Sequence, residues 1–295
     1  MTKDRIDLSG LITIVILTIL WGINYSVVKV SNTGLSPVFT TFLRSVIATA
    51  LGIVYCLAVR QPLFHRGPLL LHGIVVGILF GVEFVCMYLG LLYTNAARAV
   101  IFVYLSPFFV AIGAHFLLKE KLNALKITGL CLAFFGVYLV FKGKPVTYGR
   151  LMLFGDVLEI LAAIFWGATT IYIKRYLAER VHPINTFLYQ LAFSIPIILF
   201  FAYILEPVWV KNVTLPVVSA VFFQSVIIAF ASYLIWFNLI HTYPVAKLSV
   251  FSSLTPVFGV LFGIVFMKEQ LTAGLLLGLI LVCLGIYCTN YQRKI

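Results

Sequence analysis

Three carboxylates fall inside otherwise apolar stretches of this sequence: Glu83, and Asp156 together with Glu159. A charge near the centre of a bilayer costs about 2.5–3.5 kcal/mol on insertion scales, so such a group faces a wet cavity or a partner. Asp156 and Glu159 are three residues apart and share a helix face. Burial favours the neutral carboxyl, which would let one of these groups carry a proton. Competing readings remain for two of them. Asp156 fits a helix cap at the membrane interface, and Glu83 fits a structural pair with Arg44 or Arg98.

Rings and hydroxyls surround these acids in the pattern of a small-molecule pocket. Trp21, Asn24 and Tyr25 lie on one face of an apolar run, and Trp166, Thr169 and Thr170 occupy the corresponding face of another. Tyr104 and Ser106, and Ser232, Tyr233 and Trp236, can face the same space. Pockets are mostly apolar with a few placed polar groups, and ring faces can hold a cation. Each of these residues equally fits helix packing or interfacial anchoring. Pro107 and Pro256 sit inside apolar runs, where each removes a hydrogen bond to the carbonyl of Val103 or Ser252 and bends the helix. Their matched placement makes them candidate hinges.

Other chemistries lack their residues. The histidines (His65, His72, His115, His182 and His241) are dispersed, and no C-x-x-C pair occurs among the five cysteines. Those cysteines read as small buried apolar residues. No metal site and no cofactor is expected. A phosphate-binding loop is missing too, since Gly143-Lys144-Pro145 lacks its spacing and hydroxyl.

The elements that must position these groups follow from composition. Of 295 residues, 62% are hydrophobic and 10% charged, far from the roughly 25% charged residues of soluble domains. This composition excludes a soluble fold and identifies an integral membrane protein. Ten apolar runs are expected to span: 10–30, 38–59, 69–92, 97–118, 124–141, 151–174, 184–205, 215–239, 245–267 and 272–290, each about the 20 residues a bilayer requires. Pro37, Pro68, Pro183 and Pro216 mark helix starts. Gly73, Gly77 and Gly81, and the pairs Gly259/Gly263 and Gly274/Gly278, recur at the spacing of close helix contacts.

The formal net charge of +12 reads as loops rich in Lys and Arg, not as a nucleic-acid surface. With the N-terminus inside, thirteen basic residues fall on the inner side, from Lys3 and Arg5 through Lys119, Lys174 and Lys247 to Lys294. Seven fall outside, including Lys29, Arg98 and Lys268, while Arg44 lies within a span. Both termini are therefore expected in the cytoplasm, although Lys142, Lys144 and Arg150 run against the bias.

The strongest pattern is an internal repeat. Trp21-Gly22 and Lys29 recur as Trp166-Gly167 and Lys174, and Thr41-Phe42-Leu43 recurs as Thr186-Phe187-Leu188. Leu105-Ser106-Pro107 matches Leu254-Thr255-Pro256, Lys119-Glu120-x-Leu122 matches Lys268-Glu269-x-Leu271, and Gly129, Gly136 and Tyr138 match Gly278, Gly285 and Tyr287. With five spans per half, equivalent helices cross the bilayer in opposite directions. This inverted repeat is the architecture of many secondary transporters, with a shared site near the midplane.

These residues, in order and twice over, resemble the drug/metabolite transporter superfamily, in particular proteins with two EamA-type domains of five helices. The resemblance covers about residues 10 to 290. It implies an all-α integral membrane protein with ten transmembrane helices as two inverted five-helix repeats, residues 10–142 and 151–290, around a central cavity. It also implies export or exchange of small metabolites. Ala96-Ala97-Arg98 departs from the small or apolar residues usual at that place, so Arg98 and Lys247 stand as specificity features or interfacial anchors.

The expected function is a secondary transporter that moves a small polar metabolite, with amino acids the leading class, by alternating access in a bacterial inner membrane. A cationic or nucleotide-like metabolite moved by exchange or uptake is the second reading, and a polytopic enzyme acting on a lipid-linked substrate is a third. The substrate-binding set is Trp21, Asn24, Tyr25, Glu83, Tyr104, Ser106, Glu159, Trp166, Thr170, Ser232, Tyr233 and Trp236, with Pro107 and Pro256 as hinges. Expected partners are the substrate, the lipid bilayer and protons as coupling ion, in a monomer or homodimer with no nucleic acid.

Overall fold

The chain folds as a bundle of apolar helices, seen in a computed structural model that describes residues 7–117, 124–142, 149–177, 180–242 and 254–290. Lys119, Glu120, Leu122, Lys247, Ser252 and Lys294 lie outside the described residues. Every one of the ten apolar runs contains helix. Among the described residues, seven helices are long and apolar enough to cross a membrane, and three shorter apolar ones fall in the remaining runs.

In chain order the helices are α1 (Leu8–Ser31), α2 (Pro37–Ala58), α3 (Pro68–Tyr93), α4 (Ala96–Val103), α5 (Ser106–Leu117) and α6 (Ala124–Lys142), followed by α7 (Arg150–Tyr176) and α8 (Pro183–Leu205). Next come α9 (Leu215–Phe222), a π-helical stretch Phe223–Ser232, α10 (Tyr233–Thr242), α11 (Leu254–Met267) and α12 (Ala273–Asn290). Pro37, Pro68 and Pro183 each open a helix, and Pro216 is the second residue of α9. A first-turn N–H has no intrahelical partner to lose, so the ring costs little there.

Two runs depart from a single straight helix. The run 97–118 breaks at Tyr104–Leu105, ahead of Pro107 and not at a bend on it. Leu105 N–H reaches back only to Phe102 O (3.0 Å), and Phe108 N–H binds Leu105 O (2.9 Å), so the chain tightens for one turn before α5 begins. Pro107 is therefore a second-position proline of α5. Pro256 is the third residue of α11. The run 215–239 carries the π-helical stretch in its middle, a rare geometry that re-aims side chains and is frequent at functional sites.

Helix pairing obeys the internal repeat. α1 packs on α11, and α5 on α7; α2 packs on the π stretch, and α3 on α8; α6 and α12 pack on each other. Exchange of the two halves turns each of these pairings into its mate. Glycine makes the equivalence close. A Cβ on Gly22 would lie 2.7 Å from Phe258 Cβ, and a Cβ on Gly167 2.9 Å from Phe109 Cβ, two contacts that are the same contact repeated. The glycine stripe on α3 is packing, as its spacing implies: Gly73 faces the Tyr189 ring and Gly77 the Phe193 side chain of α8.

Both ends of the bundle are latched across the halves. At one end Leu35 forms a β-bridge with Val210, and the Ser36 hydroxyl donates to Val208 O. There the Glu206 carboxylate accepts from Val38 N (2.7 Å) and Phe39 N (2.9 Å), capping α2. Burial just beyond α8 pushes the Glu206 carboxyl above its usual range, against the two amides and Lys211 that favour the charge. At the other end Asn185 Nδ2 donates to Pro62 O, and His65 N–H to the Tyr189 hydroxyl (2.9 Å).

Candidate functional site

Arg44 sits in the middle of α2 with only 1% of its surface exposed. Nothing local can satisfy a guanidinium there, so its partners come from distant helices. Nη2 donates to the Tyr233 hydroxyl at 3.0 Å, and the guanidinium carbon lies 4.2 Å from the centre of the Phe84 ring. Nε and Nη1 meet no hydrogen-bond geometry among the described residues, although the Tyr88 hydroxyl lies close to the guanidinium. Beside Phe84 on α3, Glu83 is also buried, and its Oε2 has no partner. One turn further along α3, the Tyr88 hydroxyl donates to Gln224 Oε1 at 2.5 Å, and Gln224 Nε2 is left unpartnered. Unpaired polar atoms in a protein interior are rare and call for an explanation. Here a cation with two spare donors and an acid with a spare acceptor share one buried cluster.

Tyr25 extends the cluster towards the other half. Its hydroxyl lies within electrostatic reach of Tyr104, Glu159, Tyr233 and Glu83. Tyr104 meets the Trp166 ring edge-on at 5.3 Å. Glu159, on α7, is fully buried with neither oxygen partnered among the described residues, and it lies against Gly90 of α3, where a Cβ would come within 2.6 Å of Oε1. The glycine leaves the room that the carboxyl occupies.

Beyond Glu159 a polar rim closes the end of the bundle. Arg98 grips Asp156 with two contacts, Nη2 to Oδ2 at 2.6 Å and Nε to Oδ1 at 3.2 Å, and both side chains are buried. The Thr94 hydroxyl donates to Asp156 Oδ1 at 2.5 Å. Lys29 donates to Leu91 O at 3.0 Å and Thr94 O at 2.6 Å, fastening the last turn of α1 to the corner between α3 and α4. Glu269 accepts from Ala96 N (2.7 Å) and Ala97 N (2.9 Å), capping α4. Lys268, in the left-handed region with φ 54°, turns the chain off α11 and brings that carboxylate back.

A cavity lies towards the opposite end. It has a volume of about 430 Å³ and opens between α3, α5 and α7, lined by Leu79, Phe109, Ile112, Ile171, Tyr172 and Arg175 among others. Leu79, on its wall, is one helical turn from Glu83 on α3.

Of the sequence-predicted set, Glu83 and Tyr233 lie beside Arg44, Tyr25 and Tyr104 lie within electrostatic reach of Tyr233, and Trp166 joins through Tyr104. Glu159 is not part of the Arg44 cluster and is set against Asp156 and Lys29. Trp21, Ser232 and Trp236 form an adjoining cluster: Trp21 Nε1 donates to Ser232 Oγ at 2.9 Å, and its ring meets Trp236 edge-on at 5.2 Å. Asn24 is buried with Oδ1 unpartnered. Thr170 spends its hydroxyl on Trp166 O of its own helix, and Ser106 starts α5 beside the break. Three readings need correction. Asp156 caps no helix; it lies inside α7, paired with Arg98. Arg98 is therefore a buried ion-pair partner and not an interfacial anchor. Cys131 is exposed on the apolar outer surface, unlike the buried Cys56 and Cys86. From the sequence, Arg44 stands out as a charge within its span and a possible mate for Glu83, whereas Tyr88 and Gln224, whose partners lie far along the chain, do not stand out.

Comparison with known proteins identifies the architecture. The pattern of the EamA-like transporter family matches twice, over residues 8–142 and 153–291. An uncharacterized transporter of Bacillus subtilis, YoaV, is 25% identical over 96% of this chain and 98% of its own. An Escherichia coli protein named "Probable amino-acid metabolite efflux pump" is 24% identical over 95% of this chain and 94% of its own. A solved crystal structure with 20% identity covers 96% of both chains with a TM-score of 0.68, which shows the fold. A double match spanning nearly the whole sequence, on a bundle whose helix pairings repeat between its halves, makes this chain a member of the EamA-like transporter family.

Proposed function

We propose that this protein exports a small zwitterionic metabolite, an amino acid, from the cytoplasm by alternating access. The observation that carries this reading is the pairing of unspent groups at the centre of the bundle. Arg44 offers two nitrogens without a partner among the described residues, each able to donate to a carboxylate, and Glu83 offers a free acceptor suited to an ammonium. The Phe84 and Tyr233 rings supply the apolar wall. A zwitterion presents both complementary charges, whereas a plain cation would leave Arg44 opposed to like charge. The efflux name borne by the Escherichia coli relative supports the same class and direction.

The excess of Lys and Arg on the inner loops supports a bacterial inner-membrane placement with both termini cytoplasmic. On this reading the cavity between α3, α5 and α7 is the cytoplasmic entrance and the Lys29–Thr94–Asp156–Arg98 rim the closed exit. Residues 10–142 and 151–290 are the two rocking units, and the backbone around Pro107 and Pro256 is where they flex.

A thermal-shift series on purified protein tests the reading, because a bound ligand stabilises the folded state by mass action. Amino acids raise the melting temperature of the wild type, and Arg44→Gln abolishes the shift. A response confined to cationic nucleosides or amines would replace the amino-acid assignment with a cation carrier.

A further inference from the structure

Glu159 is not needed to bind a zwitterion that Arg44 and Glu83 already satisfy. Its carboxyl is fully buried within an apolar helix long enough to span, with both oxygens unpartnered among the described residues. An ionised carboxylate in that place would lose its hydration without compensation, a cost that real proteins avoid by neutralising the group. The groups that face it are few and mostly engaged. On α1 these are Tyr25 and Lys29, on α3 Cys86, and on α7 itself Asp156, one turn away. Lys29 is also within electrostatic reach of Glu269, whose carboxylate is engaged by the amides of Ala96 and Ala97. Asp156 is held by Arg98 and Thr94. The Lys29 ammonium spends two of its three donors on the carbonyls of Leu91 and Thr94.

We infer that Glu159 is a proton-binding site separate from the substrate site, and that Lys29 reads its charge. With the proton on, Glu159 is neutral and Lys29 stays on the α3–α4 corner, holding the rim shut. When the proton leaves to water, one O–H bond breaks and a carboxylate remains within reach of the ammonium. Lys29 is then drawn towards it and releases the carbonyls of Leu91 and Thr94. The link between proton loss and opening is thus a competition for one ammonium, and it rests on the exporter reading only in its direction.

Two measurements test it. In the infrared spectrum of purified protein at neutral pH, wild type minus Glu159→Gln contains the carbonyl band of a protonated carboxyl. Absence of that band from the difference would overturn the site. In liposomes with an acidic interior one pH unit below the bath, the wild type accumulates amino acid up to about tenfold, the limit for one proton exchanged per substrate. Glu159→Gln, the isostere of the protonated acid, reaches an inside-to-outside ratio of about one while still exchanging amino acid between the two faces. Glu159→Asp restores accumulation. Undiminished accumulation by Glu159→Gln would also overturn the proposal. An intact infrared band in a protein that moves no amino acid keeps the proton site and discards the substrate assignment.

Discussion

Arg98 and Asp156, 58 residues apart in the chain, meet in a two-pronged ion pair shut away from solvent, with a shortest contact of 2.6 Å. Two helices from different halves supply the partners, so the contact ties the halves together at one end of the bundle. Removal of one partner strands the other charge in the interior.

Arg98→Ala or Asp156→Ala alone is therefore expected to destabilise the protein by about 3–5 kcal/mol. Joint replacement, Arg98→Leu with Asp156→Leu, costs much less than the two single changes together. Unfolding of the purified variants in detergent measures the difference, and simple additivity would refute the pairing as described.

Gly22 and Gly167 test whether the two symmetric helix contacts are equally tight. A Cβ at either position meets a phenylalanine Cβ closer than van der Waals contact, and at Gly22 also Gly259 N at 2.8 Å. Valine at either site is expected to cost about 1–3 kcal/mol, as overpacking does. Gly22→Val carries the larger penalty, because main chain cannot yield as a side chain does. Melting temperatures of the two variants decide the order.

Pro107→Ala and Pro256→Ala are expected to lower the maximal transport rate several-fold while KM changes little. The break at Tyr104–Leu105 already bends this span, and the proline keeps the following turn from reclosing onto it. Liposome flux over a range of substrate concentrations separates the two quantities. Unaltered rates in both variants would remove the hinge role.

The opposed orientation of the halves makes a topological prediction. Arg60 follows α2 and Lys268 follows α11, positions separated by an odd number of crossings. Single cysteines there should react with a membrane-impermeant maleimide from opposite sides in oriented vesicles. Labelling from the same side would rule out the inverted repeat.

The bundle was largely legible from apolar run lengths and paired motifs, because burial in lipid leaves little choice but helix. The helix starts at Pro37, Pro68 and Pro183 were legible for a local steric reason. What escaped was whatever depends on a distant neighbour. The sequence shows that Asp156 lies deep but not that Thr94 and Arg98 wait beside it, so capping looked reasonable. The carboxylates that do cap, Glu206 and Glu269, lie just beyond helix ends and cap helices remote in the chain. Arg44 stood alone in its span because Tyr233 is 189 residues away. The π-helical stretch has no proline or glycine to mark it in the sequence.

The α6–α12 pairing has a consequence of its own. A Cβ on Gly136 would lie 2.8 Å from Gly278 O, and one on Gly285 2.5 Å from Gly129 O, so the final helix of each half leans backbone to backbone on its twin. Such a contact is self-complementary, like the seam between identical subunits in a twofold dimer. The molecule is then a fused pair whose connecting peptide serves mainly to keep the fragments at high mutual concentration. Cut between Lys142 and Arg150 and coexpressed, the two pieces would still find each other.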